Sequence, residues 1–285
     1  MKNKLKTIII TLFVSIISTQ IKAIETNNLK KSVQELKKDT SSFLIKDLKT
    51  NKILFSKEIN KKIKPASLTK ILTTIIALEE KTSSNEIVTI TKEMVNVKPT
   101  IVGLKVGEKY YLIDLIQAMM IKSANDAANS VALYLGDDNL KTFLKKMNKK
   151  AIQIGMKDSN FENPCGFDSN MHYTTAKDLL KLSEYALKNN EFKNIIKKTS
   201  FSFKEITTGK TINILTSNKL QREVEYSKGM KTGFTNQAGA CLISYSKENN
   251  KEYLLIMLKA KNRWKNAKQI LDCYFLTNIN HKSNS

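Results

Sequence analysis

The sequence predicts an α+β domain: a mostly antiparallel sheet flanked by helices, with a helical subdomain inserted between its strands. Three observations carry this reading. Strand-like runs lie near residues 43–55 and again between 199 and 259. Helical apolar spacing dominates the stretch between them, from 71 to 187. No Pro-, Gly- or Ser-rich linker divides the 285 residues, and 41% apolar residues suffice for one sizeable core.

Residues 1–23 read as a secretory signal peptide. Lys2, Lys4 and Lys6 precede an apolar run from Ile8 to Ile17, and small and polar residues lead to Ala23, the expected cut. The run is short for a transmembrane helix. Ile21 stands where a smaller residue is usual before a cut, so an uncleaved anchor is the alternative. Residues 24–40 read as a polar arm or short helix, 41–277 as the domain and 278–285 as a tail.

Phe43-Leu44-Ile45 and Ile53-Leu54-Phe55, separated by Asp47 and Thr50-Asn51, read as a hairpin, although the first run does not alternate. Pro65-Ala66 ends it. Ile71, Leu72, Ile75, Ile76 and Leu78 then follow helical spacing, and Glu86–Thr91 reads as a short strand. Helices are expected over Leu112–Met120, Asp126–Leu135, Asn139–Ile154 (stopped at Gly155) and Thr175–Leu187. Strands are expected over Thr199–Ile206, Thr211–Leu215, Lys228–Thr232, Cys241–Ser246 and Tyr253–Lys259, and a closing helix over Lys265–Leu276.

The formal charge is +22, with lysines spread over every segment and no aromatic-basic motif for stacking bases. That pattern argues against nucleic acid. It fits a solvated lysine surface, or attraction to an anionic membrane or cell wall. Cys165, Cys241 and Cys273 form no disulfide framework, and Cys241 and Cys273 sit in core-like surroundings. With only His172 and His281 available, a zinc site lacks its ordinary ligands, and no cofactor or metal is called for.

Three segments carry chemistry. Ser67-Leu68-Thr69-Lys70 places a hydroxyl at an expected helix start, where free N–H groups favour an oxyanion, and puts a lysine on the same face. A lysine takes a serine proton only when neutral, and burial or a second cation lowers its pKa. Ser123-Ala124-Asn125 lies between two apolar helices, where Ser123 could relay a proton and Asn125 bind a substrate amide. In Lys231-Thr232-Gly233, Gly233 lets a substrate backbone approach a strand, with Lys231 and Thr232 beside a carboxylate. Each segment has a plainer reading as a helix cap, an interhelix turn or a chance lysine-rich tripeptide. Ser244-Tyr245-Ser246-Lys247 and Ser83-Ser84-Asn85 are decoys of the first two patterns.

Only two of the 48 basic residues are arginines, and a retained arginine points to bidentate geometry that lysine cannot copy. Arg263 reads either as a carboxylate ligand or as a partner of Trp264 or of the helix start; Arg222 reads as a surface residue. Gly209-Lys210-Thr211 is no P-loop, because Lys204 stands where the first glycine belongs. His172 reads as structural, in the loop before the helix at Thr175.

Taken in order, these segments resemble the D-alanyl-D-alanine carboxypeptidases, the low-molecular-weight penicillin-binding proteins. The resemblance spans about residues 40–277 and includes Pro65–Lys70, Ser123–Ala128, Asn163-Pro164-Cys165-Gly166-Phe167, His172–Leu179 and Lys231–Thr235. It implies a β-lactamase/transpeptidase-like fold and a serine peptidase of peptidoglycan biosynthesis and cell shape, exported to the periplasm or envelope. Ser67 would attack the bond between two terminal D-alanines of a stem peptide, with Lys70 as base. The N–H groups of Ser67 and Phe234 would form the oxyanion hole, and Ser123 would protonate the leaving D-alanine. Asn125, Lys231, Thr232, Gly233 and Arg263 would bind substrate, and β-lactams would inhibit by acylating Ser67. Familiar members often add a C-terminal β-rich domain and an amphipathic membrane helix; neither is expected in the few residues after Phe275.

Rival readings on the same fold are a DD-endopeptidase, a serine β-lactamase and a non-catalytic wall-binding protein. Glu162-Asn163-Pro164-Cys165 lacks the glutamate and Leu-Asn pattern of one large β-lactamase class, so slow β-lactam release is expected.

Overall fold

The computed structural model describes residues 2–83 and 85–276. The tail from 278 onward, with His281, lies outside them, as does Ser84 of the S-x-N decoy.

Helix α1 (Lys2–Asp39) leads into the hairpin β1 (Thr40–Asp47) and β2 (Lys52–Lys57). A 3-10 turn, Ala66–Thr69, runs directly into α2 (Lys70–Glu80). Then come β3 (Ile87–Thr89), α3 (Lys92–Val95), β4 (Lys109–Tyr111), α4 (Leu112–Ile121), α5 (Asn125–Leu135) and α6 (Leu140–Ile154). Helices α7 (Ala176–Ala186) and α8 (Asn190–Ile196) precede β5 (Ser200–Lys204), β6 (Thr211–Leu215) and α9 (Lys219–Glu223). The chain closes with β7 (Ser227–Thr235), β8 (Gly239–Glu248), β9 (Lys251–Ala260) and α10 (Arg263–Phe275).

The main sheet has the order β2-β1-β9-β8-β7, every neighbour antiparallel. The first and last strands of the chain therefore lie side by side, and β7 forms an edge. Everything between β2 and β7 is the insertion. The expected strands β5 and β6 do not join the sheet; they form a separate hairpin, as do β3 and β4. Of the strand residues of β5 and β6 only Phe203 and Ile214 are buried, so the other face of that hairpin stays with solvent.

The lack of alternation in β1 has a direct cause, because the sheet is covered on both faces. Leu44, Ile256 and Leu258 point into the core shared with α2, α4 and α5. Phe43, Ile45, Leu255 and Met257 point the other way, onto α1 and α10. In α1, Leu29, Val33 and Leu36 recur at helical spacing and are buried in that second core. The helix runs without a break past Ala23, where an arm or short helix from 24 was expected. Among the described residues, no helix is long and apolar enough to cross a membrane.

Local signals set the helix ends that frame the site. Asn139 caps α6 by accepting from Lys141 N, and Gly155 closes it at φ 89°. Thr175 caps α7 by accepting from Asp178 N. The S-x-x-K decoy lies on β8, where Ser244 and Ser246 are buried on one face and Lys247 is exposed on the other.

Candidate active site

The nucleophile candidate sits on the 3-10 turn, not inside a regular helix. Ala66 is held at φ 49°, a left-handed conformation that non-glycine residues rarely adopt. Two neighbours grip the turn. Gly233 of β7 lies flat against it: a Cβ built there would stand 3.0 Å from Ser67 N and 3.2 Å from Pro65 O. Gly166, at φ 92°, is closer still, since its Cβ would fall 1.8 Å from Ala66 O. Both glycines are needed for the approach of two backbones.

Lys70, the first residue of α2, is fully buried. Its Nζ lies 3.0 Å from Ser67 Oγ, 2.8 Å from Asn125 Oδ1 and 2.7 Å from Cys165 O. Two of these partners can only accept, and the third carries a proton. A neutral amine has two N–H donors and one lone pair, which matches that set atom for atom. Burial lowers Lys70 to about 8, against a smaller opposing pull from Cys165. The Cys165 thiol is pushed up to about 11 by burial.

Asn125 opens α5 and is buried. Its Nδ2 donates to Lys98 O (2.8 Å), so the amide first of all positions Lys70, with one N–H of Nδ2 uncommitted. Ser123 sits before it at φ 66°, and its hydroxyl has no partner among the described residues. Asp126 accepts from the N–H groups of Val102, Gly103 and Leu104, which fixes the loop above the site.

Lys231 is almost fully buried and donates to Thr232 O at 3.1 Å. Burial, then the cations of Lys70 and Arg263, hold it well below the ordinary lysine range. Thr232 Oγ1 lies 3.0 Å from Ser217 Oγ. Arg263 Nη1 donates to Gly233 O (2.6 Å) and Cys241 O (3.1 Å), and its guanidinium lies over Trp264 at 4.4 Å. Both sequence readings of Arg263 therefore have a structural basis: it packs on Trp264, and it also lines the cleft.

The cleft, about 640 Å³, is lined by Ser67, Ser123, Ser217, Thr232, Gly233, Phe234, Arg222 and Arg263. Arg222 was expected as an ordinary surface residue; it is exposed, but on the cleft wall. A hollow of about 670 Å³ beside Asn129 and Leu133 is lined by the loop residues Asn163, Pro164, Cys165 and Phe167 and holds none of the three motifs.

Several supporting contacts escaped the sequence reading, although His172 was expected to be structural. Asn163 Oδ1 accepts from the N–H groups of Cys165, Gly166 and Phe167 and so curls the loop that presents Cys165 O to Lys70. The Asn-Pro-Cys-Gly turn signal was the available clue. His172 is buried. Glu162 N–H donates to its Nδ1 (3.0 Å), which leaves the proton on Nε2, 2.8 Å from Thr69 Oγ1. Thr69 in turn donates to Ala66 O at 2.9 Å. This chain of bonds braces the strained residue before Ser67. Glu162 itself bonds Ser169 and Met171 N, away from Lys70.

Burial lowers His172 from 6.5 to about 4. The unfolded chain therefore binds a proton that the fold refuses between those values. Stability from this group is present above pH 6.5 and is lost as pH falls toward 4, by roughly 3 kcal/mol. Urea unfolding at pH 7, 5.5 and 4 should show that loss, and His172→Gln should flatten it. A wild-type stability unchanged across the range would refute the assignment.

Comparison with known proteins adds a lineage to this geometry. A family model described as D-alanyl-D-alanine carboxypeptidase matches residues 29–262. D-alanyl-D-alanine carboxypeptidase DacF of Bacillus subtilis is 28% identical over 254 residues, 86% of this chain. The chain spans 64% of that relative's length. A D-alanyl-D-alanine endopeptidase of Pseudomonas aeruginosa is 29% identical over 93% of this chain and 85% of its own. Among solved structures, a Streptomyces DD-transpeptidase superposes with a TM-score of 0.78 at 25% identity, covering 84% of this chain and 98% of that one. A Mycobacterium tuberculosis D-alanyl-D-alanine carboxypeptidase gives 0.76 at 25% identity, over 85% and 92%. The family model, the relatives and the shared fold agree with the Ser67–Lys70 geometry: the chain belongs to the D-alanyl-D-alanine carboxypeptidase family.

Proposed function

We propose that the protein is a serine D-alanyl-D-alanine carboxypeptidase that removes the terminal D-alanine from peptidoglycan stem peptides. The observation that carries this reading is the environment of Lys70 Nζ, two obligate acceptors and the Ser67 hydroxyl within 3.0 Å. Neutral Lys70 takes the Ser67 proton as Oγ attacks the penultimate D-alanine carbonyl. The oxyanion forms between the N–H groups of Ser67 and Phe234. Ser123 passes a proton to the leaving amine, Thr232 faces the leaving carboxylate, and water hydrolyses the acyl-enzyme. A β-lactam acylates the same serine and leaves slowly, in keeping with Glu162 bonding away from the site.

The test is labelling by a fluorescent penicillin, beside Ser67→Ala, followed by D-alanine release from a pentapeptide. Stable label on the parent only, with D-alanine released, supports the reading. Label that quickly vanishes would point to a β-lactamase, and none at all to a binding protein. Acylation should also climb about tenfold between pH 7 and 9, because the neutral fraction of Lys70 rises from about a tenth to about nine-tenths around its pKa of about 8. A flat profile would remove Lys70 from the base role.

Cleavage of cross-links by the same residues is the second reading, favoured by the endopeptidase names of the Pseudomonas and Haemophilus relatives. The basic start and apolar run of residues 1–23 support export to the envelope, with cleavage after Ala23. Two hollows of about 280 and 340 Å³ share Ser41 and Lys259, and none of their lysines forms an ion pair among the described residues. That face supports association with an anionic wall or membrane surface.

A further inference from the structure

We propose that Arg222 supplies the guanidinium that receives the free carboxylate on the leaving side of the substrate, and that Arg263 acts on that carboxylate only through the strand edge it ties down. The inference rests on the carboxypeptidase reading above and sharpens its specificity.

This chain meets nearly every need for positive charge with lysine. Its two arginines stand on different elements, α9 and α10, yet both line the cleft that holds Ser67. They are not equivalent there. Arg263 is partly buried and commits Nη1 to two backbone carbonyls, Gly233 O and Cys241 O, with its plane on Trp264. Those bonds pin β7 to β8 next to the nucleophile. Lys231 is buried, and its only acceptor among the described residues is Thr232 O of its own strand. Burial, ahead of the charges of Lys70 and Arg263, disfavours its charged form.

Arg222 has the opposite character. It lies in the last turn of α9, exposed, with no side-chain partner among the described residues. Glu223, the nearest acid in sequence, is paired with Lys219 instead. Ser217 and Thr232, joined hydroxyl to hydroxyl at 3.0 Å, line the same cleft. A planar cationic fork beside two hydroxyls is a fitting receptor for a carboxylate. A lysine at this place would offer a point charge without the fork.

The test compares a peptide ending in D-alanyl-D-alanine with the same peptide ending in the carboxamide. The wild type should prefer the acid. Arg222→Gln should lower kcat/KM for the acid about 10- to 100-fold, the range of a charge-assisted hydrogen bond, and leave the amide nearly unchanged. Arg222→Lys should recover only part of the loss. Arg263→Gln should slow both peptides alike. An unchanged acid-to-amide ratio in Arg222→Gln, or a ratio that collapses only in Arg263→Gln, would overturn the proposal. So would a wild type that treats both peptides equally. A wild type that cleaves neither peptide would instead defeat the carboxypeptidase reading itself. Thermal unfolding of each variant separates loss of recognition from loss of fold.

Discussion

Lys70→Met should fold and should acylate roughly 10²–10⁴-fold more slowly than the parent, the usual range for losing a positioned general base. Methionine fills much of the same volume without a charge or a donor. Asn125 Oδ1 and Cys165 O then lose their shared partner, at a cost of about 1–3 kcal/mol for each acceptor left dry. Removing a buried amine offsets part of that cost. The side chain keeps no base, so raising the pH cannot rescue the rate. The measurement is the second-order rate constant for a fluorescent penicillin from pH 6 to 10. The parent should rise through about 8 and the variant should stay low and flat. A variant that still rises with the parent's midpoint would place the base elsewhere, and Lys231, the other buried lysine of the site, would be the next to remove.

The second large effect needs no change to any motif side chain. Gly166→Ala should cost at least ~3 kcal/mol of stability and, where protein is recovered, at least about a hundredfold in acylation. The new methyl would fall 1.8 Å from Ala66 O and 2.9 Å from Ser67 N, and a backbone cannot give way there without moving the nucleophile. Its φ of 92° adds strain that alanine resists. Gly209 is the control: it also has a positive φ, 71°, but a Cβ there meets nothing within 4 Å. Gly209→Ala should lose only the strain, about 1 kcal/mol, and keep full activity. Equal behaviour of the two variants in thermal melts and penicillin acylation would refute the clash argument.

Much of this arrangement was legible in the sequence because its signals are local. Asn139 and Gly155 mark the ends of α6, Thr175 marks the start of α7, and alternation and glycine punctuation mark β7 to β9. The three candidate segments announced themselves as residue types in one order. The parts that stayed hidden depend on contacts between distant segments. Nothing near Gly166 says that Ala66 O will lie against it, a hundred residues away in the chain. Nothing near His172 says that Thr69 will be its partner. Arg222 looked ordinary because its own neighbours are polar and it stands on a five-residue helix; only the path of α9 into β7 carries it to the cleft. The separation of β5 and β6 from the main sheet was equally unreadable, since a hairpin records its own pairing and not what it packs against.

The pairing of β1 with β9 also bears on when the protein can acquire its structure. Ile45 opposes Leu255 and Phe43 opposes Met257, so the central pair of the sheet joins positions more than 200 residues apart. Closing so large a loop must precede any return from that pairing, which makes such topologies slow to form. A chain still emerging from the ribosome holds β1 and β2 without the strand that completes them. The sheet therefore forms only after the last sixth of the chain is available. The sheet of the polypeptide therefore stays uncommitted until β9 is available to pair with β1.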